Sequence, residues 1–261
     1  MPRIHSTALI DSGSRIGSDV RIGPGAIIES DTEIGPGSEI GPYAVIHRYS
    51  SLGPSCRVHA HAVLGDTPQD LAFEDVTSYF EAGGNCVFRE HVTVHRGTKE
   101  GTTTRIGNSC YLMAGSHLGH NGQLGNEVIL ANGAQLGGYV EAGDNVFFGG
   151  TAAIHQFVKI GRLTMVGGHS LISKDVPPFC MTKPGAYNRL IGLNSVGLRR
   201  AGFTPEERSQ IKRAYKTLFH SGLNVTAAKA RLCQEFSEGP AAEFARFIDD
   251  SERGICSGRP A

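Results

Sequence analysis

The sequence has no run of 18 apolar residues, no Cys-x-x-Cys pair and no net charge, because 25 basic residues balance 25 acidic ones. Without a long apolar run we expect no transmembrane segment, and the N-terminus also lacks the apolar stretch of a signal peptide. The neutral balance gives no indication of a polyelectrolyte partner such as nucleic acid. We therefore predict a cytoplasmic protein.

An apolar residue recurs at every sixth position over the middle of the chain. The series is Ile106, Leu112, Leu118, Leu124, Leu130, Leu136, Ala142, Phe148, Ile154, Ile160, Val166 and Ile172. The fifth position of each hexad is small, as in Ala134 and Ala152. A period of six fits neither a 3.6-residue helix nor simple strand alternation, so each hexad is predicted to be one short strand and one turn of a β-helix. Glycine is frequent at the second position, where we expect it to give a corner its backbone freedom.

The same period runs from Ile4 to Leu64, then fades over 66–81 and again over 97–105 without losing its register. These gaps predict loops projecting from a rigid scaffold, where functional residues tend to lie. If three hexads form one coil, residues 18 apart in the sequence stack at the strand spacing of about 4.8 Å.

The six cysteines fit this scheme as reduced thiols. They are Cys56, Cys86, Cys110, Cys180, Cys233 and Cys256. The first three fall at the small fifth position, where a free thiol acts as a small apolar side chain. Reduced thiols agree with a cytoplasmic setting.

The two prolines at 177 and 178 predict the end of the β-helix, because neither can donate to another ladder. We assign residues 1–178 to the β-helix with its loops, 179–202 to a linker and 203–261 to a small α-helical domain. Thr204 with Pro205 and Glu207 forms a strong helix start. Two weaker helices are expected over 226–236 and 240–251, and the domain is placed to cap the open end of the β-helix.

His120 is the main candidate for chemistry. It stands at the third hexad position, near a corner, where an imidazole directed outward can act as a general base. Gly138 lies 18 residues further on and Gln156 another 18. A residue without a side chain leaves its N–H open to stabilise an oxyanion. Base, oxyanion donor and amide are therefore predicted to line one groove.

A zinc site is the competing use of these histidines. His117 and His120, with His91 or His95 from an earlier coil, would supply the three imidazoles that zinc hydration catalysis needs. Hexapeptide-repeat carbonic anhydrases hold zinc in this way, but the histidine positions match that family poorly, so no metal is expected.

A basic segment precedes and enters the first long helix. It contains Arg199, Arg200, Arg208, Lys212, Arg213 and Lys216 against two glutamates. A solvated helix face is one interpretation, and docking of an acidic partner or a nucleotide diphosphate is the other. No aromatic residues interleave with these charges, which disfavours nucleic acid.

Several motifs together resemble the acyl-carrier-protein-dependent UDP-N-acetylglucosamine O-acyltransferases of lipid A biosynthesis. The motifs are Thr93-Val94-His95-Arg96-Gly97-Thr98, Gly119-His120, Ala153-Ile154-His155-Gln156-Phe157, Asp175-Val176-Pro177-Pro178 and Gly197-Leu198-Arg199-Arg200-Ala201-Gly202-Phe203. The likeness covers essentially the whole chain. It implies an all-β left-handed parallel β-helix with a small C-terminal helical domain, assembled as a homotrimer.

The resemblance also implies roles for single residues. His120 would take the proton from the sugar 3-hydroxyl as it attacks the acyl-carrier-protein thioester, and the Gly138 N–H would hold the oxyanion. Residues that match substrate-binding positions are Gln69, Asp70, His117, His155, Gln156, Gly168, Asn194 and Arg200. Gly168 would leave room for a longer acyl chain, the basic segment would meet the acidic carrier protein, and no cofactor is expected.

Five positions depart from the family pattern: Asn121, Tyr139, Tyr187, Ala72 and Val196. Asn121 stands where the family usually has an Asp beside the base. An amide still orients the ring but stabilises an imidazolium less well. Two alternatives therefore stay open, an N-acyltransferase acting on a 3-amino sugar nucleotide and a catalytically silent scaffold paralogue.

Overall fold

The computed structural model describes residues 1–258, which form a parallel β-helix with three flat faces and a smaller helical domain. Successive hexads place their strands on faces A, B and C in turn. Face A contains Arg3–Ile4, Arg21–Ile22, Glu39–Ile40, Arg57–Val58, Val87–Phe88, Tyr111–Leu112, Ile129–Leu130, Phe147–Phe148, Met165–Val166, Cys180–Thr182 and Leu190–Leu193. Face B contains Leu9–Ile10, Ile27–Ile28, Val45–Ile46, Val63–Asp66, Thr93–His95, His117–Leu118, Gln135–Leu136, Ala153–Ile154 and Leu171–Ile172. Face C contains Arg15–Ile16, Glu33–Ile34, Ser50–Leu52, Tyr79–Ala82, Thr103–Ile106, Gln123–Leu124, Glu141–Ala142 and Lys159–Ile160.

The predicted 18-residue stacking is confirmed by the strand register. His117 pairs with Gln135, and Gln135 pairs with Ala153 one coil further on. The offset is larger between Val63 and Thr93 and between Thr93 and His117. The additional residues form the two projecting loops, 67–78 and 96–102. Both loops leave the β-helix at the same corner, between faces B and C.

The core is the column of side chains that point inside the coils. Leu118, Leu136 and Ile154 are buried there, as the first hexad position predicts. All six cysteines are free thiols, and only Cys233 among them is exposed. Ile4 is 48% exposed because no coil lies below the first one to cover it.

Glycine at the second hexad position has a different function from the predicted one. The left-handed backbone angles occur instead at the fourth position, where Asn121 and Tyr139 both have φ of 59°. A Cβ on Gly119 would lie 2.6 Å from the backbone nitrogen of Gly138 in the next coil. Second-position glycine therefore permits close approach between coils, and the corner itself is turned two residues later.

The prediction of a linker over residues 179–202 is wrong. Cys180–Thr182 joins face A through the pairing of Met165 with Met181, Leu190–Leu193 returns antiparallel to it, and helix α1 (Ser195–Arg200) follows. Pro178 does not end the β-helix because it lies in a corner, against Gly161 of the coil before. Val176 pairs with Ile160, which is 16 and not 18 residues earlier, so Pro178 takes the corner position that Pro24 and Pro36 hold in unbroken hexads, although counting by six makes it a first-position residue.

The helical domain contains α2 (Pro205–His220), α3 (Val225–Glu235), a short 3-10 helix (Pro240–Ala242) and α4 (Glu243–Asp249). The predicted start of α2 is confirmed, with a reciprocal capping box between Thr204 and Glu207. The tail that follows is extended rather than helical, and Ile255 pairs with Asp175 of the last coil. The end of the predicted domain, 259–261, lies outside the described residues.

Among the described residues, none of the helices combines the length and the apolar character that a membrane crossing requires.

Candidate active site

The corner between faces B and C gathers the main candidate residues. His120, Gly138 and Gln156 occupy equivalent positions in three successive coils. Both projecting loops arise from the same corner in the coils below. The column of candidate residues therefore lies at the corner from which both loops project.

The His120 ring packs against Gly138 of the next coil. A Cβ added to Gly138 would stand 2.3 Å from Cε1 and 2.5 Å from Nε2 of the imidazole, so glycine is required for the ring to take this position. The Gly138 N–H donates no hydrogen bond within residues 1–258. By contrast, at the corner between faces C and A, the N–H of Asn126 donates to Asp144 Oδ1 at 2.7 Å.

Asn121 holds the other side of the imidazole. Its Oδ1 lies 3.1 Å from Nδ1 of His120 and accepts from the Thr98 N–H at 3.0 Å. A backbone N–H can only donate, so the atom facing Thr98 and His120 is the oxygen of the amide. Because that oxygen can only accept, Nδ1 of His120 carries the hydrogen. In the neutral ring Nε2 is then unprotonated and free to accept a proton.

His117 lies on face B beside this corner. Its Nδ1 is 2.8 Å from Thr93 Oγ1, and its ring meets the His95 ring edge to face at 4.8 Å between centroids. Burial, reinforced by the neighbouring His95 and His120, lowers the pKa of His117 to about 4. Burial also lowers the pKa of His95, against the opposing influence of Asp66. These two imidazoles are therefore neutral at pH 7.

The first loop is tied to the β-helix by Asp75. Its carboxylate accepts from Arg48 at 2.8 Å and from the buried Arg96 at 2.8 Å. The Arg48 guanidinium holds the pKa of Asp75 below its ordinary value. Gln69 and Asp70 are exposed on this loop, where Asp70 Oδ1 accepts the N–H of Ala72 at 3.0 Å.

Known proteins resemble this chain along its whole length. Two family models match, one described as UDP N-acetylglucosamine O-acyltransferase, domain 2, over residues 175–256, and one as bacterial transferase hexapeptide, six repeats, over residues 13–48. The acyl-(acyl-carrier-protein)–UDP-N-acetylglucosamine O-acyltransferase of Halorhodospira halophila is 42% identical over 257 residues, which are 98% of this chain and 99% of the relative. The chain belongs to this O-acyltransferase family.

Solved structures agree with the assignment. The UDP-N-acetylglucosamine acyltransferase of Campylobacter jejuni is 36% identical with a TM-score of 0.92, covering 98% of this chain and 100% of that one. The enzyme of Francisella novicida is 32% identical with a TM-score of 0.94, covering 98% and 94%. The predicted fold of the O-acyltransferase family, a left-handed parallel β-helix with a small helical domain, is thereby confirmed.

The other residues predicted for the O-acyltransferase site are divided between this corner and other parts of the chain. His155 and Gln156 are exposed at the same corner as His120. Gly168 lies at the corner between faces A and B, where an added Cβ would stand 3.3 Å from the carbonyl oxygen of Gly150. Asn194 is the N-cap of helix α1 beyond face A, and the exposed Arg200 is the last residue of that helix. Both ends of the Asn194 amide are engaged, since it accepts from Gly197 N–H and donates to the Leu163 carbonyl, each at 2.9 Å.

The departures from the O-acyltransferase pattern are also placed. Tyr139 stands one coil above Asn121, and its hydroxyl is 2.8 Å from Thr98 Oγ1. Tyr187 is exposed, with its hydroxyl 2.6 Å from Ser173 Oγ. Ala72 on the first loop and Val196 on α1 are exposed. Sequence reasoning missed Thr98 as a site residue, although it closes one of the motifs on which the resemblance was based.

The histidines proposed for zinc are not gathered as that hypothesis requires. His91 lies at the corner between faces A and B, stacked on His61 with 5.2 Å between centroids. Within residues 1–258, no group of three or more His, Cys, Asp or Glu side chains is arranged to hold a metal ion.

Three of the six residues of the basic segment line a cavity of about 400 Å³ at the start of the helical domain. Arg199, Arg208 and Lys212 line it, together with Leu193 and Leu198.

Proposed function

We propose that this chain transfers a fatty acyl group, in the first instance a 3-hydroxyacyl group, from acyl carrier protein to the 3-hydroxyl of UDP-N-acetylglucosamine, the first step of lipid A biosynthesis. The observation that carries the proposal is the position of the His120 ring, packed on the backbone of Gly138 and held at Nδ1 by Asn121. The named relatives support the substrates.

The arrangement of His120 and Gly138 supports direct transfer of the acyl group from the thioester to the hydroxyl. Nε2 of His120 takes the proton of the 3-hydroxyl as that oxygen attacks the thioester carbon. The carbonyl oxygen becomes an oxyanion, and we assign the Gly138 N–H as the donor that stabilises it. The carbon–sulfur bond then breaks, and the thiolate takes the proton from His120, so the step needs neither a metal nor a diffusible cofactor.

His120→Ala tests the base, with His5→Ala in the first coil as the matched exposed histidine. Loss of a general base lowers turnover by about 10²- to 10⁴-fold. We expect this loss for His120→Ala in a transfer assay with acyl carrier protein donors, while His5→Ala keeps full activity and both proteins remain folded. Full activity of His120→Ala would remove this residue as the base.

We place the complete site between copies of the chain in a homotrimer. Two ion pairs lie on the outside of face C, Arg15 with Glu33 at 2.7 Å and Arg105 with Glu81 at 3.0 Å. Face B and the later coils of face A carry outward apolar side chains, including Ile129 and Met165 on A and Leu9 and Ile27 on B, whereas the first coils of face A carry the Arg21–Glu39 pair. Contact between an A face and a B face would bury these residues.

That arrangement would also bring together the predicted residues that one chain keeps apart. Gly168, Asn194 and Arg200 of one copy would approach His120 of another. Ile129→Lys is therefore expected to reduce both the trimer, measured by analytical ultracentrifugation, and the activity. Ser51→Lys, outward on face C between Glu33 and Glu81, is the control and should leave both unchanged.

The basic cavity beside Arg199, Arg208 and Lys212 is the proposed docking surface for the acidic carrier protein. The six free thiols agree with a reaction in the cytoplasm.

Asn121 supports a second acceptor class, a 3-amino sugar nucleotide. An amide stabilises an imidazolium less than a carboxylate does, and an amine attacks as a neutral nucleophile that depends less on the base. Products formed from UDP-N-acetylglucosamine and from its 3-amino analogue, with one acyl donor, can be compared by mass spectrometry. If only the 3-amino analogue is acylated, the acceptor is an amine and not a hydroxyl. If neither compound is acylated, the chain is a catalytically silent scaffold.

A further inference from the structure

Thr98, on the second loop, contacts the residue that orients His120. Its N–H and its hydroxyl both donate to Asn121 Oδ1, at 3.0 and 2.8 Å. The single hydrogen of the Thr98 hydroxyl is used in that bond, so its oxygen accepts from the Tyr139 hydroxyl at 2.8 Å. A directed chain of hydrogen bonds thus runs from Tyr139 through Thr98 to the amide beside the base.

The chain of hydrogen bonds is held by packing. The Tyr139 ring stacks on Phe157 with centroids 4.7 Å apart and meets the His120 ring edge to face at 5.3 Å. Asn121 is 8% exposed, and its own N–H donates to Thr104 Oγ1 at 2.7 Å. The side-chain amide of Asn121 is therefore buried, and both Thr98 donors contact its oxygen end.

An amide differs from a carboxylate in having two unlike ends. With its oxygen toward His120, Asn121 requires a hydrogen on Nδ1, which leaves Nε2 free to act as the base. With its NH₂ group turned toward the ring, the amide would donate to Nδ1. The neutral ring would then carry its hydrogen on Nε2, where it cannot take the substrate proton.

We propose that Thr98, supported by Tyr139, is a positioning residue that keeps the Asn121 amide oxygen toward His120 and so selects the catalytic tautomer. The inference rests on the proposed function of His120 as the base. It explains how this chain can use an amide beside its base: a carboxylate presents oxygen at both ends and needs no such selection.

The test is a double-mutant cycle of Thr98→Val with Asn121→Asp. One neutral hydrogen bond supports a change of about 2- to 10-fold. We expect Thr98→Val to lower kcat by that factor with little change in KM when residue 121 is Asn. In the Asn121→Asp background the same substitution should have no effect on kcat. Tyr139→Phe should follow the same pattern with a smaller loss.

An equal loss in both backgrounds would show that Thr98 only supports the loop, and no loss in either would show that it has no role. Each result would overturn the proposal. The tautomer can also be measured without turnover, from ¹⁵N shifts of labelled histidine with His120→Ala for assignment. Thr98→Val should move the His120 signals toward the Nε2–H form. This measurement stays informative even if His120 proves not to be the base.

Discussion

Replacing Gly138 by alanine tests the central contact of the site. The added Cβ would stand 2.3 Å from Cε1 of His120, whereas ordinary contacts begin at 3.4 Å. The imidazole must therefore move by about 1 Å, and it can do so because it is the end of a side chain. The backbone N–H of residue 138 is unchanged. A displacement of about 1 Å in a catalytic group costs about 100-fold in rate.

We expect Gly138→Ala to lower kcat for acyl transfer by about 100-fold or more while the folded trimer remains. Gly150→Ala is the matched control, since Gly150 also occupies a third hexad position and a Cβ there would meet nothing closer than 3.5 Å. Neither glycine has a positive φ, so alanine should not strain the backbone at either position. Activity would be measured with saturating donor and acceptor, and stability by thermal unfolding at fixed protein concentration. Comparable activity of the two variants would refute the placement of His120 over Gly138.

Two predictions concern stability. The pKa of His117 is lowered to about 4, so between pH 6.5 and 4 the unfolded chain binds a proton that the folded chain does not, and stability should fall by up to about 3 kcal/mol over that range. Denaturant unfolding across the same range should show a shallower loss of stability in His117→Asn than in the wild type. Equal slopes would contradict the assignment. Arg162 donates two bonds to Glu243, at 2.8 and 2.7 Å, and joins the β-helix to the helical domain. Glu243→Gln should lower the free energy of unfolding by about 1–2 kcal/mol. Glu33→Gln, in the exposed Arg15–Glu33 pair, is the control and should leave stability unchanged. An unchanged stability of Glu243→Gln would show that the Arg162–Glu243 pair does not hold the domain.

The sequence predicted most of the scaffold because its signals are local. A hexad repeats the same inward and outward positions, so the stacking of His120 under Gly138 followed from counting, and the capping box of Thr204 and Glu207 is contained within four residues. The linker prediction failed because two prolines were taken as a stop, whereas the last coil is two residues shorter than the others and thereby brings Pro178 to a corner. The function of second-position glycine was predicted wrongly for a related reason. Glycine is required there because the backbone of the next coil lies close by, and contact between coils belongs to the tertiary structure.

The hexad period alone determined that this chain is a stack of coils, with an imidazole and a bare amide in one column, because every coil repeats the same backbone pairing. Tertiary structure decided what surrounds that column. Thr98 reaches Asn121 from 23 residues earlier in the sequence and Tyr139 reaches Thr98 across 41 residues. The direction of the amide, and with it the protonated nitrogen of His120, depends on donors that meet Asn121 only after the second loop has folded back to this corner.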